Sequence, residues 1–188
     1  MKPFRCKHLI AVLERPHDFR NIGAVIRNVD ALGVEKTYIV DPQRALPDDW
    51  QDMRDRGTIF KSSVSAVKWS FVKRFDSSEE CFEHLRFKNF SSIVTSPHQK
   101  GKTNVVLHEG DYTVYPKLAV WFGSEATGIS DFMAERSELN VTIPMYGMVE
   151  RLNLGTTTGI VLHEIARQRR DYQSRYTRKN KRGEKRPA

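Results

Sequence analysis

The run from His8 to Leu13 is short, apolar and rich in strand formers. From Asp18 to Leu32 the pattern changes, and Ile22, Val25, Ile26 and Val29 recur at helical spacing. Gly33 punctuates the end of that helix, and Lys36 to Val40 reads as a second strand closed by Asp41-Pro42, which makes a βαβ start. Arg44 to Ser65 has no clear period and reads as a surface excursion with a short helix. Val67 to Phe75 reads as a strand, and Ser77-Ser78-Glu79-Glu80 as the capped start of a helix through Leu85 and Phe87. Ser92–Thr95 and Leu118–Phe122 have the continuous apolar character of buried strands, and each runs into a polar, loop-forming segment. Leu139 to Ile143 is one more short strand, stopped by Pro144. Leu152 to Arg170 carries helical periodicity through Leu154, Ile160, Val161, Ile165 and Arg169. Strands alternating with helices predict an α/β domain with a mainly parallel sheet, and ligands gather at the C-terminal ends of such strands.

Charge changes this picture at one end. The 188 residues carry a formal net charge of +8, and the last 22, Arg167 to Ala188, hold ten Lys/Arg against Asp171 and Glu184. The other 166 residues hold 21 basic and 21 acidic side chains. The expected organisation is therefore one domain over residues 1–170 and a basic, flexible tail over 171–188. A neutral body with a cationic arm points to a polyanion, RNA or DNA, although a merely solubilising tail has the same composition. Tyr172 and Tyr176 interleave with Arg169, Arg170, Arg175 and Arg178, adding stacking faces to the charge. No apolar run approaches the ~20 residues of a membrane span, and Met1 to Arg5 does not open a secretion signal, so the cytoplasm is the expected location. Cys6 and Cys81, without a CxxC pair, predict neither a zinc site nor a disulfide framework.

Three segments break local structural rules. Asn21-Ile22-Gly23-Ala24-Val25-Ile26-Arg27-Asn28 sets Arg27 and Asn28 on the first helix; alone it reads equally as a helix whose arginine faces water. Phe122 to Ser130 (FGSEATGIS) follows a strand and imitates a Walker A loop. Ile129 stands where the lysine belongs, and Glu125 would put negative charge among phosphates, so a nucleoside triphosphatase is disfavoured. Ile143 to Gly159 (IPMYGMVERLNLGTTTG) opens a helix with two glycines and three threonines, each glycine costing ~1 kcal/mol relative to alanine. Gly155 and Gly159 share one face, suited to close approach by a ligand or by another backbone.

In this order the three segments resemble the three motifs of the SpoU branch of the SPOUT superfamily, the AdoMet-dependent RNA ribose 2′-O-methyltransferases. NIGAVIRN resembles the first motif, VWFGSEATGIS the second and IPMYGMVERLNLGTTTGIVLHE the third, so the resemblance covers about Leu9 to Gln168. Within the branch, RNVDALGV and HEIARQRR are most similar to the tRNA guanosine 2′-O-methyltransferase group. The resemblance implies a mainly parallel α/β sheet whose C-terminal part forms a deep trefoil knot, a homodimer packed through knot-region helices, S-adenosyl-L-methionine (AdoMet) as cofactor, and no metal. It implies cofactor contacts at Thr95, Gly123, Ile143, Met145 and Leu152, and close packing of Gly155 and Gly159 near the dimer contact. Catalytic roles fall on Arg27, Glu125 and Asn153, with Glu125 orienting Arg27 or another basic group by ion pairing. RNA contacts are expected at Asn28 and Arg151 and, on the basic tail, at Arg169, Arg170, Arg175, Arg178 and Lys179.

The chain departs from the pattern at one run. It has Arg151-Leu152-Asn153-Leu154-Gly155 where the family usually has the form SLNVS, so both hydroxyls of that run are missing. The expected substrate is RNA, since DNA lacks the 2′-hydroxyl; a tRNA D-loop guanosine comes first and ribosomal RNA next. A non-catalytic RNA-binding relative and a small nucleotide-binding α/β protein are the competing readings.

Overall fold

The first strand is buried on both faces, which places it in the middle of a sheet covered on each side. The computed structural model describes residues 6–181 apart from 47–51, 53–56, 65, 69, 100 and 102. Strand β1 (Cys6–Glu14) is followed by α1 (Phe19–Ala31), β2 (Val34–Val40), α2 (Gly57–Ser62), β3 (Phe71–Phe75) and α3 (Ser78–Phe87). Then come β4 (Ser91–Thr95), β5 (Asn104–Val106), β6 (Leu118–Phe122), α4 (Asp131–Arg136), β7 (Leu139–Thr142) and α5 (Leu154–Lys181). The sheet order is β3-β2-β1-β6-β4-β7-β5, and every pairing is parallel.

Alternation along the strands divides the core into two layers. Leu9, Ala11, Leu13, Val120 and Phe122 point to one face, where α1 supplies Ile22, Val25, Ile26 and Val29, and α5 supplies Val161, Leu162 and Ile165. Ile10, Val12, Val94, Ala119 and Trp121 point to the other, where α3 supplies Cys81 and Leu85, and α4 supplies Met133 and Ala134. Local chemistry starts the helices where the sequence predicts: the Asp18 carboxylate accepts from the Arg20 N–H, and the Ser77 hydroxyl from the Glu80 N–H.

Three features differ from the sequence pattern. The segment from Val67 to Phe75 is a strand only from Phe71; Ala66–Lys68 forms a turn of 3₁₀ helix. Strand β5 and helix α4 have no counterpart in the hydrophobic pattern, being too short to show a period. Helix α5 does not stop at Arg170 but continues without a break to Lys181, so the first part of the basic segment extends the body's own helix. The side chains of Arg178 and Lys179 lie outside the described residues, as do residues 182–188.

Candidate active site

The polar segments that interrupt the pattern meet at the C-terminal ends of β4, β6 and β7. After β6 the chain turns back on itself, with the Ser124 N–H donating to the Gly128 carbonyl at 3.2 Å and the Gly128 N–H to the Ser124 carbonyl at 2.9 Å. Gly123 is required at the neck of this loop, because a Cβ there would sit 2.1 Å from the backbone of Gly128 and Ile129. The Walker-like glycine spacing thus serves a closed turn. At the far end of the loop Ser130 caps α4, its hydroxyl accepting from the Met133 N–H.

A residue outside the three motifs anchors this loop. Glu14, wholly buried at the end of β1, accepts hydrogen bonds from the backbone N–H of Ser130 at 2.7 Å, from the Ser130 hydroxyl at 2.6 Å and from the Ser78 hydroxyl. Three donors on one carboxylate offset its loss of water. The sequence signal for it was a carboxylate closing an otherwise apolar strand run.

Asn21 is the second residue that motif reading passed over, although it opens the first motif. Its Nδ2 donates to Glu125 Oε1 at 2.7 Å, and its Oδ1 accepts from Asn153 Nδ2 at 3.0 Å. One amide therefore ties the second motif to the third. Glu125 also accepts from the His17 N–H at 3.3 Å, and its carbonyl accepts from Arg151 Nη1 at 3.3 Å. Asn153 caps α5, its Oδ1 accepting from the Gly155 N–H at 2.8 Å, so both ends of its amide are engaged.

These groups border a cavity of about 760 Å³. Thr95, Gly123, Ile143, Met145 and Leu152, five positions scattered along the chain, all line it, together with Glu125, Arg151 and Asn153. Arg27 does not. It is exposed on α1 with no hydrogen-bond or ion-pair partner among the described residues, so the expected pairing with Glu125 is corrected: that carboxylate is held by Asn21 instead.

Other expectations are corrected by packing. Arg169 is buried, with its guanidinium donating to the carbonyls of Tyr115, Pro116 and Tyr112 at 2.5, 2.9 and 3.4 Å. Burial pushes its pKa below the ordinary arginine value. It fastens α5 to the segment before β6 and is closed to RNA. Arg170 is half-buried and donates to the Leu32 carbonyl at 2.9 Å, whereas Arg175 is exposed. Asn28, assigned above to RNA, gives its amide protons to the Gly155 carbonyl at 2.7 Å and to Thr158 Oγ1 at 3.1 Å, bonds that join α1 to α5. A Cβ on Gly155 would lie 3.0 Å from Ala24 Cβ, and one on Gly159 would lie 3.4 Å from Asn28 Nδ2. The close approach made by the two glycines is to α1 of the same chain. Beside this contact runs an apolar groove of about 620 Å³, lined by Leu32, Leu107, Ile143, Pro144 and Ile160.

Comparison with known proteins gives consistent results. The model of the SpoU rRNA Methylase family matches residues 8–163. The tRNA (guanosine(18)-2′-O)-methyltransferase of Thermus thermophilus is 29% identical over 161 residues, which cover 86% of this chain and 75% of that protein. The crystal structure of the A. aeolicus TrmH/SpoU tRNA modifying enzyme superposes with a TM-score of 0.74 at 27% identity, covering 90% of this chain and 79% of that one. The SpoU methyltransferase AviRb of Streptomyces viridochromogenes, in complex with AdoMet, shares the fold with a TM-score of 0.73 at 24% identity, covering 89% of this chain and 62% of that one.

Proposed function

Because the chain belongs to the SpoU rRNA Methylase family, and is by that membership an RNA methyltransferase, we propose that it methylates the ribose 2′-oxygen of a guanosine in tRNA, with AdoMet as donor. The guanosine 18 specificity in the name of the Thermus thermophilus relative makes the tRNA D-loop the first target to test. The observation that supports this reading best is the convergence on one cavity of five positions assigned to the cofactor from motif resemblance alone, beside Glu125 and Asn153.

The residues present fit AdoMet. A cavity of about 760 Å³ lies within the usual range for small-molecule sites, ~300–1,000 Å³, and its wall mixes the apolar Ile143, Met145 and Leu152 with the polar Thr95 and Ser96. Thr95, Gly123, Ile143, Met145 and Leu152 would hold the cofactor, which supplies an electrophilic methyl group on a sulfonium. Glu125, also on that wall, would place a negative charge at the border of the site that holds this cationic donor. The Asn21 amide keeps Glu125 and the start of α5 in fixed relation, so the cavity is shaped before a ligand enters.

Arg27 has the opposite character, an exposed cation on α1 without a partner among the described residues. A guanidinium is a poor proton acceptor but a strong donor to phosphate and to developing alkoxide charge. In this reading it clamps an RNA phosphate and stabilises negative charge as the 2′-hydroxyl reacts. Arg151, in place of the usual serine, stands exposed at the cavity wall and offers a second cation to the same backbone. The exposed face of α5, Arg175 included, extends that contact. A knotted C-terminal segment and a homodimer formed through the groove between α1 and α5 complete the proposal.

The test separates binding from turnover. Arg27→Ala is expected to lower methyl transfer to unmodified tRNA by about 10²-fold, with AdoMet affinity, measured by calorimetry, staying within two-fold of the parent. Unchanged turnover in that variant overturns the role given to Arg27.

A further inference from the structure

We propose that the protein carries a second RNA-contact surface, made of lysines stacked on phenylalanine rings at the end of the sheet opposite the cavity; it rests on the reading of RNA as substrate. Lys36 and Phe71 are register partners across β2 and β3, with the ammonium 5.4 Å from the ring centre. Lys88 lies 5.5 Å over Phe87 and Lys117 5.8 Å over Phe90 at the same end, while Lys73, midway along β3, borders them and lies 4.5 Å from the buried Phe75 ring.

The pairs form one patch. His84 of α3 packs 5.2 Å from the Phe75 ring, and burial together with Lys73, Lys88 and Lys36 holds its pKa below the ordinary histidine value. Lys117 in turn donates from Nζ to the Lys88 carbonyl at 2.9 Å. Nearby carboxylates are engaged elsewhere: Glu83 with Arg86, Glu35 with Lys36 and the His8 N–H, and Glu80 with the Asp76 N–H. Lys73, Lys88 and Lys117 have no ion-pair partner among the described residues.

Two of the rings stand out of the surface, Phe87 at 81% and Phe71 at 52% exposure. The cores of protein interfaces are depleted in lysine, which argues against a protein partner for rings that each carry an ammonium. The Lys88 ammonium over the exposed Phe87 ring, flanked by Lys73 and Lys117 and by the exposed Phe71 ring beside Lys36, suits a polymer of phosphates and stackable bases. Lys117 immediately precedes β6, and that strand runs five residues to the cavity, about 16 Å at the usual strand rise. A folded RNA with its ribose at the cavity reaches this patch only with another part of its backbone, so the surface reads overall RNA shape.

The experiment compares the parent with Lys73→Gln/Lys88→Gln/Lys117→Gln, using an unmodified tRNA transcript at several KCl concentrations. The expected result is weaker binding with a plot of log affinity against log salt shallower by about two units, three contacts at ~0.7–0.9 each. AdoMet affinity and turnover at saturating RNA stay unchanged. Phe87→Ala is expected to weaken binding without changing the slope. A triple variant that keeps the parent's thermal midpoint, RNA affinity and slope overturns this surface, as does one that loses AdoMet affinity in parallel. If the parent itself neither binds nor methylates RNA, it is the broader functional reading that fails.

Discussion

At the scale of single residues, burial decides which cations are available. Ten basic side chains crowd the last 22 positions, and composition treats them alike. Arg169 nevertheless sits on the buried stripe of α5, four residues after Ile165, and the periodicity that predicted the helix already contained it. Arg169→Ala would strip three carbonyls of their charged donor; the expected loss is about 2–4 kcal/mol, read by chemical denaturation, with RNA affinity per folded molecule unchanged. A folded variant of parental stability that binds RNA poorly would contradict the structural role. Glu164, on the same helix, shows how a carboxylate responds to a neighbouring cation. Hydrogen bonds from Arg167 at 2.6 and 2.9 Å are the main cause of a pKa lowered to about 2. A lowered carboxyl pKa favours the folded state above the ordinary carboxylate range, and that contribution is lost as pH falls toward 2. The effect is modest, because Arg167 is half-exposed and screened. Stability measured against pH is therefore expected to fall less steeply between pH 5 and 2 in Glu164→Gln than in the parent; parallel curves would contradict the assignment.

At the scale of elements, the central event is the crossing of α1 and α5. Ala24 and Asn28, four residues apart on α1, meet Gly155 and Gly159, four apart on α5. The helical glycines therefore gain a close contact, and the Asn28 amide bonds across it. Gly155→Leu would force the helices apart and is expected to lower stability by about 1–3 kcal/mol, with an unchanged thermal midpoint as the contrary result. Many elements were legible beforehand: β1, α1, β2, β6 and the body of α5 follow from apolar runs, helical spacing and the residues that terminate them. The short β5 and α4 were not, since they are fixed by their neighbours and not by their own pattern. The site divides in the same way. The cavity-lining positions were named through the family resemblance, which the unusual local sequence of the three motif segments carries. Glu14 and Asn21 act through partners more than 60 residues away, so only the folded chain shows what they hold.

At the scale of the whole molecule, a seven-stranded parallel sheet brings loops from several strands to one end, and the cavity lies there. Charge is distributed around that geometry: Arg151 at the cavity wall, Arg27 on the exposed side of α1, the exposed side of α5, and the lysines toward the opposite end. The central claim is that this arrangement delivers a methyl group to an RNA ribose. The most direct measurement incubates the purified protein with AdoMet labelled in its methyl group and an unmodified tRNA, then maps the product by nuclease digestion and mass spectrometry. The expected result is one labelled 2′-O-methylguanosine in the D-loop, strongly reduced with Arg27→Ala. Label on a base, or no label on any RNA although the protein binds AdoMet, would contradict the account.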